Sequence, residues 1–120
     1  MKLRITDNSF RFRIASNELA QLQRDGFLEC TTTAFTSENE EQVFRFRIRH
    51  QPESEKSEVK LEPFAATFVV SSSDLESLSD QSREGVYVES EWVDSQGQLK
   101  GFTACVEKDR PRRAHRQPEE

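Results

Sequence analysis

A chain of 120 residues, 33% hydrophobic and 32% charged, has the length of one ordinary domain, with a modest core and a heavily charged surface. Its formal net charge of −5 excludes general nucleic-acid binding as the leading expectation, because phosphate neutralisation drives that affinity. The charge is uneven: residues 1–50 carry +1, residues 51–108 carry −7 and residues 109–120 carry +1. No run of about 18 apolar residues occurs, so no membrane-spanning helix is expected. The alternating opening MKLRITDNSFRFRI lacks the continuous apolar stretch of a secretory signal, and a cytoplasmic location is expected.

In chain order, Lys2 to Thr6 alternates with period two and predicts a strand, as does Phe10 to Ala15. A helix start follows, with Ser16 or Asn17 able to accept from the first-turn N–H groups and Leu19 and Leu22 sharing a face. Asp25-Gly26 closes that helix, glycine supplying the left-handed cap conformation without steric cost. Phe27 to Phe35 and Val43 to His50 read as a hairpin around the polar turn Ser37 to Glu41. Gln51 to Ser57, polar and bearing a proline, reads as a linker.

The same order then recurs. Glu58 to Glu62 and Ala66 to Val70 are strands, Ser72 or Ser73 starts a helix carrying Leu75 and Leu78, and Glu84-Gly85 precedes Val86 to Val93 and Leu99 to Lys108. Asp94-Ser95-Gln96-Gly97 joins that last pair, a hairpin signal. An offset of 56 residues lays Phe12 on Phe68, Ile14 on Val70 and Leu19 on Leu75, with Gly26 meeting Gly85 and Phe46 meeting Phe102 after insertions. The pattern predicts an internal duplication, with repeat one at 1–50, the linker at 51–57 and repeat two at 58–109 in a single domain. Residues 110–120, RPRRAHRQPEE, read as a disordered tail.

The expected fold class is therefore α+β, mostly antiparallel β: a barrel-like or strongly curved sheet of about eight strands with two short helices at its ends, from two pseudo-symmetric ββαββ repeats. Closure removes exposed strand edges.

The pentapeptide FRFRI occurs at Phe10 to Ile14 and at Phe44 to Ile48. In a strand its apolar residues share one face and its arginines the other. The apolar positions recur in the second repeat and are expected in the core. Arg11, Arg13, Arg45, Arg47 and Arg49 do not recur, and two arrangements account for them. They pair with acidic residues across strands, Glu62, Glu89 and Glu91 being the candidates, or they converge to bind a small anion such as a phosphate or nucleotide. An RNA-binding sheet is disfavoured, since stacking and charge fall on opposite faces.

Catalytic signals are missing. His50 and His115 fit no metal-ligand spacing, and the chain has no GxSxG, phosphate-binding glycine loop or HExxH, so neither a metal nor a cofactor is expected. Cys30 and Cys105 make no disulfide framework and read as reduced thiols. The expected function is a small binding or interaction module without catalytic activity, its partner an unknown protein or a small anionic ligand. The alternative is an anion-binding barrel, up to a phosphate-ester-handling enzyme.

The opening Lys2-Leu3-Arg4-Ile5 with Asn8-Ser9-Phe10-Arg11-Phe12-Arg13-Ile14, the middle Ser79-Asp80-Gln81 to Gly85-Val86-Tyr87, and the close Val106-Glu107-Lys108-Asp109 resemble a family of small uncharacterised bacterial proteins, domain of unknown function 7009. The resemblance spans the chain to about Asp109. Relatives continue with an aromatic residue and a nearby cysteine, where this chain has Arg110-Pro111-Arg112-Arg113, so any role of that ending is absent here. The resemblance implies no activity. It places weight on Asn8, Arg11, Arg13, Glu107, Lys108 and Asp109, and implies that Arg11 or Arg13 pairs with Glu107 as a clasp closing first strand on last.

Overall fold

The computed structural model describes residues 1–109; the tail expected at 110–120 lies outside the described residues. Eight strands and two helices follow one another as β1 (Lys2–Thr6), β2 (Ser9–Ile14), α1 (Ser16–Asp25), β3 (Phe27–Phe35), β4 (Glu41–His50), β5 (Glu58–Glu62), β6 (Ala65–Val70), α2 (Ser72–Ser77), β7 (Gly85–Val93) and β8 (Leu99–Lys108). The period-two segments are strands within a residue or two of their expected bounds, because alternation marks every strand whose two faces differ in burial.

The helices start one residue earlier than their serines suggest. Ala15 is the N-cap of α1, and since it has no side-chain acceptor, Glu18 bonds back to the Ala15 N–H at 2.9 Å. Ser71 caps α2, its hydroxyl accepting from the Asp74 N–H at 3.2 Å. Gly26 ends α1 in the left-handed region at φ 75°, donating to the Leu22 carbonyl at 2.8 Å.

The expected antiparallel barrel is not formed. The strands make two four-stranded mixed sheets, ordered β1-β2-β8-β7 and β3-β4-β6-β5. The physical reason lies in the helices. Each carries the chain from one sheet to the other, α1 from β2 to β3 and α2 from β6 to β7, so the two hairpins of each half end in different sheets. The halves then meet along parallel pairs, β2 with β8 and β4 with β6. Edges remain, but β1 and β5 are short and carry Lys2 and Arg4, or Glu58, Lys60 and Glu62, which discourage edge-to-edge pairing.

The helices do not plug barrel ends either. Leu22 of α1 and Leu75 of α2, with Leu78 just beyond, enter one core with Phe12, Ile14, Leu28, Ile48, Phe68, Val70, Val86 and Val106. That core lies between the two sheets. Phe12 is fully buried while Arg13 is exposed, so the phenylalanines of β2 face inward as alternation predicts. On β4, Phe44 is 39% exposed, because the β3–β4 hairpin runs on past the end of β6.

Backbone contacts recur at matched positions, though with different offsets in different parts of the chain. Lys2 to Leu22 matches at 56 residues and Phe27 to His50 at 58, so Phe46 corresponds to Ala104 rather than Phe102, and Gly26 to Glu84 rather than Gly85. Thr103 donates to the Asn8 carbonyl at 3.0 Å and Arg45 to the Phe64 carbonyl at 2.9 Å, Asn8 and Phe64 both lying at positive φ. Lys108 donates to the Glu84 carbonyl at 2.9 Å and His50 to the Gly26 carbonyl at 3.0 Å.

Candidate functional site

The five arginines do not converge on one patch. Arg11 and Arg13 project from β2 on the outer face of the first sheet, and Arg45, Arg47 and Arg49 from β4 on the outer face of the second.

On the first sheet, Glu107 of β8 gathers three donors. Its Oε1 lies 3.0 Å from Arg11 Nε and 3.8 Å from Arg13 Nε, and its Oε2 accepts from the Tyr87 hydroxyl at 2.7 Å. The register explains the cluster: Arg13 stands directly opposite Glu107, Arg11 opposite Cys105, and Cys105 opposite Tyr87. The hydrogen bond to the carboxylate, with burial adding to it, pushes the Tyr87 phenol up to about 12. Gly85 faces Glu107 on the other side, and a Cβ there would come within 2.5 Å of the Val106 carbonyl oxygen and 2.9 Å of Glu107 Cγ. The glycine makes room for the carboxylate.

On the second sheet, Glu29 accepts from Arg47 at 2.8 Å and lies 3.9 Å from Arg45, while Arg49 sits over the Phe27 ring at 5.3 Å. The acidic partners are thus Glu107 and Glu29. Glu62, Glu89 and Glu91 hold no ion pair with an arginine among the described residues.

The early and late strands of the described residues meet here in a different way from a barrel clasp. Arg11 and Glu107 bind across β2 and β8, which are central neighbours of an open sheet, so the bond braces the sheet and closes nothing. Lys2 pairs with Asp109 at 2.8 Å and holds its carboxyl below the usual range. Lys108 donates to the Asp80 carbonyl at 2.8 Å. Asn8 takes φ 58° in the β1–β2 turn, a conformation asparagine tolerates better than most residues. Sequence reasoning missed Tyr87, Arg4 and Lys2, although their place in the alternation puts them on the same face.

Chemistry beyond ion pairing is sparse. Burial raises the Cys105 thiol, with Glu107 adding and Arg11 opposing, and burial raises Cys30 as well, so both are poor nucleophiles. His50 shares a 2.9 Å hydrogen bond with Ser72. Among the described residues no group of three or more His, Cys, Asp or Glu is placed to hold a metal, and no helix is long and apolar enough to cross a membrane.

Three concavities stand out on the described residues. A groove of about 510 Å³ runs over the outer face of the first sheet, lined by Arg4, Ser9, Arg11, Tyr87, Thr103 and Cys105 among others. A larger cleft of about 670 Å³ opens where β5 and β7 part, lined by Val59, Leu61, Val88, Trp92 and Phe102 with Lys56, Glu58 and Glu89 at its rim. Leu61 and Trp92 are 60% and 47% exposed in it. Its smaller counterpart on the opposite side is lined by Leu3, Ile5, Cys30, Thr32, Phe44 and Phe46.

Compared with known proteins, residues 1–112 match the model of a family described as a family of unknown function (DUF7009). No curated protein and no solved structure matches the chain.

Proposed function

Because the chain belongs to DUF7009, a family whose description names no activity, we propose a function from its surface: a binding module without catalytic activity that holds an extended, apolar-anchored segment of a partner protein in the β5–β7 cleft. One observation carries this. The free edge of β7, nine residues long, flanks a cleft in which Leu61 and Trp92 stay exposed. A free edge offers its unpaired backbone groups to a strand, and an apolar pocket beside it selects the side chains of that strand. Ile5 and Leu61 are exposed at matched positions, as are Phe35 and Val93, which supports both a duplicated origin and a surface kept apolar in both halves. Scattered single exposed apolar residues mean little, whereas grouped ones mark interaction sites.

The lone tryptophan makes the test direct. Peptides selected from a random library against the whole chain should carry apolar anchors, shift Trp92 emission, and bind Leu61→Asp more weakly. A library that yields no binder, or binders indifferent to Leu61→Asp, overturns the proposal. So does a concentration-dependent dimer that blocks the cleft, which would make a second copy the occupant.

A further inference from the structure

The outer face of the first sheet carries an arrangement that the fold does not require. Lys2 stands directly opposite Arg13 and Arg4 directly opposite Arg11, so two rungs of β1–β2 set cation against cation. Like charges facing each other across a ladder destabilise it. Glu107 answers Arg11 and Arg13, Asp109 answers Lys2, and Arg4 has no acidic partner among the described residues.

The second sheet is an internal control. Its matched rungs are Glu58 opposite Val69 and Lys60 opposite Thr67, so the same strand pair forms there without cation pairs. Beside the Arg4–Arg11 rung runs a row of hydroxyls, Thr6 opposite Ser9 and Ser9 opposite Thr103. None of the three hydroxyls bonds to another described residue. Both rows line the groove of about 510 Å³, a volume within the range of small-molecule sites, roughly 300–1,000 Å³.

We propose that this groove binds a small organic phosphate monoester, its phosphate over Arg4 and Arg11 and within reach of the Ser9 and Thr103 hydroxyls. Guanidinium forks match pairs of phosphate oxygens, and neutral hydroxyls donate to the remainder. Glu89 lines the other side of the groove and repels an anion, and Glu107 holds Arg11 from β8, so the phosphate lies on the β1–β2 side with Arg4 as the guanidinium left unpaired among the described residues. The same carboxylates accept from hydroxyl or amino groups, so the organic part lies toward β7. Tyr87, Val88 and Glu89 border both concavities, but the phosphate-holding residues Arg4, Ser9, Arg11 and Thr103 do not line the cleft, so the site survives if that proposal fails.

The test uses the full chain in low-salt buffer, with AMP, ribose 5-phosphate, inorganic phosphate and adenosine as probes, read by melting temperature and calorimetry. The esters should raise the melting temperature, adenosine should not, and added salt should weaken the effect. Arg4→Gln should lower ester affinity about tenfold, as the loss of a charge-assisted hydrogen bond does, while the unliganded melting temperature holds or rises. Lys60→Gln, the matched position on the second sheet, should leave affinity unchanged. Failure of both esters to bind, full binding by Arg4→Gln, or equal affinity for inorganic phosphate would each overturn the assignment.

Discussion

Phe12 and Phe68 meet edge to face at the centre of the molecule, ring centroids 6.1 Å apart and planes inclined by 70°. They occupy matched positions in the two halves and belong to different sheets, β2 and β6, so the contact is where one half packs on its counterpart. Both are fully buried.

Phe12→Ala and Phe68→Ala should each cost about 3–5 kcal/mol, the range for emptying an aromatic site in a core. Because the rings touch, the double variant should lose less than the sum, with a coupling of about 0.5–1.5 kcal/mol. Chemical denaturation of the three variants checks this. Strict additivity would mean that the edge-to-face contact contributes nothing of its own.

Ser57 lies in the stretch that composition alone marks as linker, yet it is buried. Its hydroxyl accepts from the Ser71 N–H at 3.0 Å and donates to Asp74 Oδ2 at 2.5 Å, tying the entry of β5 to the start of α2. Ser57→Ala leaves the buried Ser71 N–H unpaired and should cost about 1–3 kcal/mol. Ser54→Ala, in the same stretch, should cost less than about 0.5 kcal/mol, as surface changes do. Equal effects at the two positions would return Ser57 to an ordinary linker.

Element positions were legible because most strands alternate in their apolar residues, β6 being buried on both faces, and because Leu19, Leu22, Leu75 and Leu78 mark the helices. Sheet membership was not. Nothing in the alternation of FRFRI says whether β2 pairs with β8 or whether β3 stays in the same sheet as β2, since both arrangements bury the same phenylalanines. The arginine face had the same fault: Arg13 and Arg47 alternate identically, and only the crossing at α1 sends them to different sheets. The acidic partners divide: the pairing of Arg11 with Glu107 was implied by the family resemblance and is present, whereas Glu29 was not foreseen. Glu29 and Glu107 were chosen by register, which counting charges in a half cannot supply.

Gly85 shows how close the packing at the arginine face is. A methyl group there would press on Glu107 Cγ and on the Val106 carbonyl oxygen, which cannot retreat without moving β8. Gly85→Ala should destabilise by about 1–3 kcal/mol, the usual cost of overpacking. Gly97→Ala is the comparison, since nothing lies within 4 Å of its added Cβ and only its φ of 77° resists, costing about 1 kcal/mol. A Gly85→Ala protein as stable as wild type would show that β8 can shift to admit the methyl group.

Tyr87 is the chain's one tyrosine, so its ionisation is read directly in the ultraviolet. Folded, its phenol titrates near 12 because the 2.7 Å hydrogen bond to Glu107 favours the protonated form; unfolded, it returns to about 10. A proton held more tightly in the folded state stabilises that state at every pH below the unfolded value. The contribution is therefore complete below about pH 10 and is lost as pH rises through 12. Tyr87 is more than half exposed, so the energy is small and the titration, not the melting curve, is the sensitive measurement. Glu107→Ala should bring the phenol back toward its ordinary value, and Tyr87→Phe should abolish the signal while leaving the Arg11–Glu107 pair in place. A phenol that titrates normally in the wild-type protein would show that Glu107 keeps both oxygens for its arginines.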